Sequence, residues 1–496
     1  MERSTKYWLI GIFVFTLVVR LILAFLIPNL TYDSYFDLRQ VQNIHDTGIP
    51  LYNDPLSYGG REYFFLPFFH YLMAGFSFLL PLELVAKLLP NILLASLTII
   101  VFLIARKITG NDRASLISAG IAGFLPALFL TNNFSVETLL LPGLFFAIYC
   151  FMNITNPTYL NLYLLSFVFL SLTSPATVLL IIGLGLYLLL SYTENNKIKI
   201  EEKEVLLFSL FLYLWIQLLF FKKIFISEGI NFVWQNIPSQ ILLEYLPHLS
   251  VIKAIGMISV IPFLVGIIVV YRSLFKVKNR HIYLLISLVI AATSLSWLRV
   301  IRFEISLTFF GITLSILFAS FYQDLIQYVE KTKVIWIRKF LLLITLSLLA
   351  LTMLPLSFST AWTQITPTNS EINAFKWLAQ NTPPGSGVAS LLEEGGLVTY
   401  YGNRVNVMDQ QFTFVPNIEK RFNDLHALYN TKFQTVALRS LDQYGLQYLM
   451  LTPTAKNKYQ IRNFNYLTPE CFKKVYDDQV KIYLVRCSLK ERSLNE

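Results

Sequence analysis

Eleven apolar runs constrain this 496-residue chain more than any other feature, at residues 7–27, 84–105, 114–131, 138–152, 159–172, 175–192, 205–221, 252–271, 282–298, 303–321 and 340–358. A hydrocarbon layer of about 30 Å takes roughly 20 residues of helix to cross, so the pattern predicts a polytopic α-helical membrane protein of about eleven spans. Charged residues make up 14% of the chain, far below the usual soluble share of about 25%, which excludes a single water-soluble core. The first run follows Arg3 and Lys6 and has no small-residue cleavage site behind it, so it reads as an uncleaved anchor. The formal net charge is +10, but the basic residues lie in short clusters between apolar runs, as the positive-inside rule requires, and no nucleic-acid partner is expected.

A further apolar stretch, 64–80, decides the sidedness of the later loops. If it does not cross, sixteen basic residues fall on the cytoplasmic side, in clusters such as Arg106, Lys107 and Arg113, or Arg272, Lys276, Lys278 and Arg280. Over 28–83 and the short loops of the other side there are only six, Arg39, Arg61, Lys222, Lys223, Arg299 and Arg302. Counting 64–80 as a span reverses this against the rule, so it reads as re-entrant or interfacial. The N-terminus is then cytoplasmic. The first external loop, 28–83, and a C-terminal domain, 359–496, share the extracytoplasmic side with 131–137, 222–250 and 299–302.

The chain divides into a membrane part, 1–358, and a small soluble α/β domain, 359–496. In the latter, Ser370 can cap a helix that ends at Pro383-Pro384-Gly385. Strand-like runs at 387–392, 404–409 and 447–452 alternate with helical stretches at 417–429 and 434–444, and a hairpin is expected at 472–486, turning at Asp477-Asp478. A Cys471–Cys487 bridge is one option for two of the three cysteines.

Asp33 lies six residues past the first span. A carboxylate there can bind a hard divalent cation or orient a nucleophile, and it can equally cap a helix over Ser34 to Ile44. Glu137 is the sole acid between the third and fourth runs; it can serve a site or simply complement a helix N-terminus. Glu244, in Leu243-Glu244-Tyr245, can likewise serve a site or be an ordinary polar residue of an interfacial helix. Arg299 and Arg302 flank a tight turn on the side where positive charge is depleted, which suits (pyro)phosphate at headgroup depth or snorkelling to lipid.

The order of these parts resembles the GT-C superfamily of polyprenol-dependent glycosyltransferases, and within it the catalytic subunit of oligosaccharyltransferase. Asp33-Ser34-Tyr35-Phe36-Asp37-Leu38-Arg39 is similar to the family's Asp-x-Tyr-(Phe/Tyr)-x-x-Arg stretch, which implies that Asp33 is catalytic, binding metal and engaging the acceptor. Glu137 stands where the family carries a two-acid metal pair, and Glu244 where it has the glutamate of a Thr-x-x-Glu segment, so Asp33, Glu137 and Glu244 are the implied ligands of Mn²⁺ or Mg²⁺. Arg302-Phe303 is similar to an Arg-Phe pair whose arginine meets the donor phosphate, with Arg299 beside it. In the C-terminal domain Leu391-Leu392-Glu393-Glu394-Gly395 occupies the place of the Trp-Trp-Asp-Tyr-Gly signature that reads an Asn-x-Ser/Thr acceptor. Glu393, Glu394 and Asp409 are the acceptor-side candidates.

The resemblance implies an enzyme that moves a sugar or oligosaccharide from a polyprenyl (pyro)phosphate to a protein, lipid or glycan acceptor at the external membrane face. The other readings are a transporter or lipid flippase and a glycolipid-binding relative without turnover. A transporter should carry mid-span ionisable residues or an inverted repeat, and neither stands out.

Overall fold

The computed structural model describes residues 3–195, 197–229, 250–275, 279–331 and 335–489. Its helices are α1 (Arg3–Leu26), α2 (Ser34–Thr47), α3 (Phe68–Ser77), α4 (Leu82–Thr109), α5 (Asp112–Gly123), α6 (Glu137–Met152), α7 (Pro157–Ser171), α8 (Val178–Thr193) and α9 (Ile200–Glu228). After the undescribed segment come α10 (Val251–Ile258), α11 (Val260–Phe275), α12 (Arg280–Trp297), α13 (Phe303–Glu330) and α14 (Ile335–Trp362).

Among the described residues seven helices, α1, α4, α8 with the turn before it, α9, α12, α13 and α14, are long and apolar enough to cross a membrane. The pair α10 and α11 makes eight. The chain is thus a polytopic helical membrane protein with seven or eight candidate spans, fewer than hydropathy alone implied. The other three apolar runs became α5, α6 and α7, of 12, 16 and 15 residues. For α5 and α6 that apolarity has a second source, because a helix packed inside a protein needs the same side chains as one facing lipid. Leu140, Leu144, Phe145 and Ile148 of α6 are buried in the bundle core.

The run 252–271 is not one straight helix. It breaks at Ser259, where φ is 75°, and the two halves meet at 87°. Pro262 accounts for the break: in a continuous helix its ring would clash with the Ile258 carbonyl and leave that acceptor without an N–H donor. In the stretch 64–80 only α3 is helical, and its 10 residues, about 15 Å of helix, are too short to cross. Phe68 at its start stacks on Phe169 of α7, with ring centroids 4.5 Å apart, and its N–H donates to the Leu172 carbonyl.

Beyond α14 lies a C-terminal domain with a mixed sheet. It contains α15 (Asn369–Asn381), β3 (Gly387–Ala389), α16 (Gly395–Tyr400), β4 (Val405–Asn406), α17 (Ile418–Asn430), α18 (Gln434–Gln443), β5 (Leu446–Leu451), α19 (Pro453–Tyr459), β6 (Phe472–Asp477) and β7 (Lys481–Val485). The strand order is β4-β3-β5-β7-β6, with β3 parallel to both neighbours and the β6–β7 hairpin antiparallel. Cys471 and Cys487 are bonded across the base of that hairpin. Thr368, not Ser370, caps α15, because Glu371 stands three residues on and completes a reciprocal capping box.

The first loop joins bundle to domain. Its small hairpin β1 (Asn53–Asp54) and β2 (Arg61–Glu62) and its helices α2 and α3 lie between the two. Tyr35, Leu38 and Val41 of α2 share one buried core with Phe69 and Met73 of α3, Phe134 of the bundle, and Phe375, Val398 and Met450 of the domain. Loop and domain therefore occupy the same end of the bundle.

Candidate active site

Hydrogen bonds between the first two loops fix the position of Asp33. Lys87 of α4 donates to the carbonyls of Ala24, Ile27 and Pro28 and so anchors the end of α1. Asn132 Nδ2 donates to the carbonyls of Ile27 and Asn29, and the Thr31 N–H donates to the Asn132 carbonyl at 3.0 Å. The Ser34 hydroxyl in turn accepts from the Phe134 N–H at 2.9 Å. These contacts bring the residue before α2 against the start of α6, where Glu137 sits.

Asp33 takes the cap position of α2, yet its carboxylate makes no cap hydrogen bond. It is open to solvent, although protein surrounds it on most sides, as expected of a group lining a concavity. That enclosure raises its pKa to about 6. The nearby Arg302 opposes the rise, and Glu304, Glu137 and Asp37 add to it. Arg302 is the residue before α13, and its Nη1 lies 3.2 Å from Glu137 Oε1. The Arg302 side chain remains 64% exposed, so most of its donor fork is free for a further anion. Arg299 stands exposed on the same turn with φ 59° and makes no ion pair among the described residues. Glu244 lies outside the described residues.

The structure thus brings Asp33, Glu137 and Arg302 together from three different inter-span segments. It adds groups not singled out in the sequence. Buried Asp37 accepts from or pairs with His70 Nε2 at 2.7 Å, and burial raises the Asp37 pKa against that contact. His70 Nδ1 is buried with no hydrogen-bond partner among the described residues. One signal was available in the sequence, since a lone histidine inside the apolar stretch 64–80 is costly without a partner. Glu304, two residues past Arg302, contributes to the same field.

On the domain side, Glu393 pairs with Lys458 at 2.6 Å. Glu394 is wholly buried and accepts from the Leu391 N–H and the Thr452 hydroxyl. Burial first, and neighbouring Glu371 second, raise the Glu394 pKa to about 8. Asp409 is a joint between loop and domain. Its carboxylate accepts from Ser57 Oγ at 2.6 Å and Asn406 Nδ2 at 3.1 Å, and the Tyr58 hydroxyl donates to its backbone carbonyl. Gly395 permits this approach, because a Cβ there would collide with the Met408 carbonyl and lie 2.7 Å from Asp409 Cβ. Asp409 also lines a narrow cleft with Tyr32, Phe36, Arg39, Tyr63 and Thr399.

Among the described residues no group of three or more His, Cys, Asp or Glu side chains is placed to hold a metal ion. Asp33 and Glu137 are hard oxygen donors, the donor chemistry that a cation such as Mg²⁺ takes from one or two carboxylates besides water and substrate phosphate.

No protein-family model matches the sequence, and no curated protein matches it. Solved structures do. The oligosaccharyltransferase of Archaeoglobus fulgidus in its apo form superimposes with a TM-score of 0.71 at 15% identity, over 91% of this chain and 70% of that one. The archaeal oligosaccharyltransferase AglB from A. fulgidus, in complex with an inhibitory peptide and a dolichol-phosphate, gives 0.69 at 14% identity, over 90% and 70%. ArnT from Cupriavidus metallidurans, bound to undecaprenyl phosphate, gives 0.58 at 12% identity, over 96% and 98%. At these identities the likeness shows a shared architecture alone: this chain has the fold of the archaeal oligosaccharyltransferase and of ArnT, the GT-C-like fold that its sequence resembles.

Proposed function

We propose that this protein is a membrane glycosyltransferase that moves a sugar or oligosaccharide from a polyprenyl (pyro)phosphate to an acceptor at the bundle end that carries the C-terminal domain. The observation that carries the reading is the meeting of Asp33, Glu137 and Arg302 on a GT-C fold, open to solvent and ringed by protein. The A. fulgidus and C. metallidurans structures with dolichol-phosphate and undecaprenyl phosphate support a polyprenyl donor.

In the reaction, the acceptor nucleophile bonds to the anomeric carbon while the carbon–oxygen bond to phosphate breaks and its electron pair stays on the phosphate. Arg302, held by Glu137 but largely unoccupied, faces the charge that grows there, where a fixed donor is worth most. Asp33 orients the acceptor and takes up its proton. A divalent cation, Mn²⁺ or Mg²⁺, held by Asp33 and Glu137 would supply further neutralisation of the departing phosphate. The first loop shields this centre on one side, and its packing against the C-terminal domain fixes Asp33 relative to the domain.

The acceptor class follows from what replaces the family signature. Leu391, Leu392 and Glu394 are buried rather than displayed, which favours an acceptor other than an Asn-x-Ser/Thr peptide. Purified protein given a lipid-linked sugar with Mn²⁺ or Mg²⁺ should release polyprenyl phosphate or pyrophosphate, and the Asp33→Ala variant should not. Full activity of Asp33→Ala would remove the assignment. Product analysis with a sequon peptide beside lipid and glycan hydroxyl acceptors separates the acceptor classes.

A further inference from the structure

The end of the bundle away from Asp33 holds a second feature that the proposed reaction does not use. Between the ends of α4, α6 and α8 and the starts of α9 and α12 lies a cavity of about 170 Å³, lined by Lys107, Tyr187, Lys199, Glu202, Arg280 and His281 over an apolar floor. Along α6 it is separated from Glu137 by about 21 Å, taking 1.5 Å per residue to Phe151.

Its charge is unbalanced. Glu202, buried at 4% exposure, is paired with Arg280, whose guanidinium also donates to the Tyr187 hydroxyl. One carboxylate is therefore used to orient one guanidinium. Lys107 and Lys199 make no ion pair among the described residues and are exposed at the rim, leaving two uncompensated positive charges over one concavity. Three converging cations with a fixed guanidinium suit a tetrahedral oxyanion, and the space far exceeds the roughly 10–15 Å³ that one water needs. The apolar floor of Phe151, Met152 and Leu284 suits the glycerol and upper acyl carbons of a lipid.

We infer that this cavity is a phosphate-anion site whose occupant is the headgroup of an anionic phospholipid from the leaflet opposite the candidate active site. Basic pockets between membrane helices bind such headgroups through the same chemistry. Soluble phosphate is the other source of that chemistry, and the two are separable.

Full-length protein in detergent, examined by native mass spectrometry, should retain phosphatidylglycerol over phosphatidylcholine. A Lys107→Gln/Lys199→Gln variant should weaken phosphatidylglycerol binding at least about tenfold, the loss of two charge-assisted contacts. Lipid-free melting temperature reports folding, and Lys199→Gln alone serves if the double variant does not fold. A thermal shift with inorganic phosphate that the variant abolishes, without preference for phosphatidylglycerol, assigns the site to the soluble anion. Equal retention of both lipids with no phosphate-dependent shift overturns the inference, as does undiminished phosphatidylglycerol binding by the folded variant. None of these outcomes depends on glycosyl transfer, so this site and the proposed reaction stand or fall separately.

Discussion

Arg302 and Glu394 show two opposite uses of a charged side chain. Among the described residues Arg302 has one ion-pair partner, Glu137, and its side chain is 64% exposed. Replacing it with glutamine should lower turnover by about 10²–10³-fold, the usual cost of one fixed donor at a developing anion. Release of polyprenyl phosphate from a labelled donor measures this, and unchanged turnover takes Arg302 out of the site. Glu394 has no open face, and its role is to hold the Leu391 turn and Thr452. Its folded-state pKa of about 8 lies above its ordinary 4.5, so the folded chain binds that proton more tightly than the unfolded one. The stability it contributes is full below its unfolded pKa and is lost as pH rises through about 8. Glu394→Gln keeps an acceptor but no charge. From about pH 5 to about pH 9 the parent's melting temperature should therefore fall further than the variant's. Parallel melting curves would contradict the assignment of a neutral, structural Glu394. The sequence gives both residues an acid or base in a motif-like setting, and only burial and partners separate a reactive group from a structural one.

At the scale of elements, the C-terminal domain was more legible than the membrane bundle. Strands expected at 387–392 and 447–452 are β3 and β5, and the helices expected at 417–429 and 434–444 are α17 and α18, because short alternating and amphipathic patterns report burial directly. The hairpin expected at 472–486 is β6 and β7. In the bundle, hydropathy placed helices but could not set their lengths, since α5 and α6 owe much of their apolarity to protein packing, and the bend at Ser259 depends on one proline. The convergence of Asp33 with Glu137 was not legible in either sequence segment alone. It depends on Asn132 and Ser34 tying two loops together across about a hundred positions. The Cys471–Cys487 bond spans 16 residues and closes the hairpin's base, and removing a loop closure of that size costs about 3 kcal/mol. Cys487→Ser should lower the melting temperature of the protein measurably under non-reducing conditions. Equal stability of variant and parent would show that the bond adds nothing to the sheet packing.

Two independent physical arguments predict the orientation of the whole molecule. The basic residues Arg106 to Arg113, Lys197 to Lys203, Arg272 and Arg280 fall at the bundle end opposite the C-terminal domain, the end that the positive-inside rule predicts to be cytoplasmic. The disulfide lies in the domain at the other end, and disulfides persist mainly in oxidising compartments outside the cytoplasm. Each argument predicts that Asp33, Arg302 and the domain face the extracytoplasmic side, where the proposed reaction would meet a lipid-linked donor. Single-cysteine labelling tests this directly, because the remaining thiol, Cys150, is buried. Arg113, exposed between α4 and the body of α5, and Lys432, exposed between α17 and α18, report the two ends. A membrane-impermeant maleimide applied to intact cells should modify Lys432→Cys and leave Arg113→Cys unmodified until the membrane is opened. The reverse pattern would place the basic clusters outside and the disulfide in a reducing compartment, so both arguments would fail together and the donor would have to be met from the cytoplasmic leaflet.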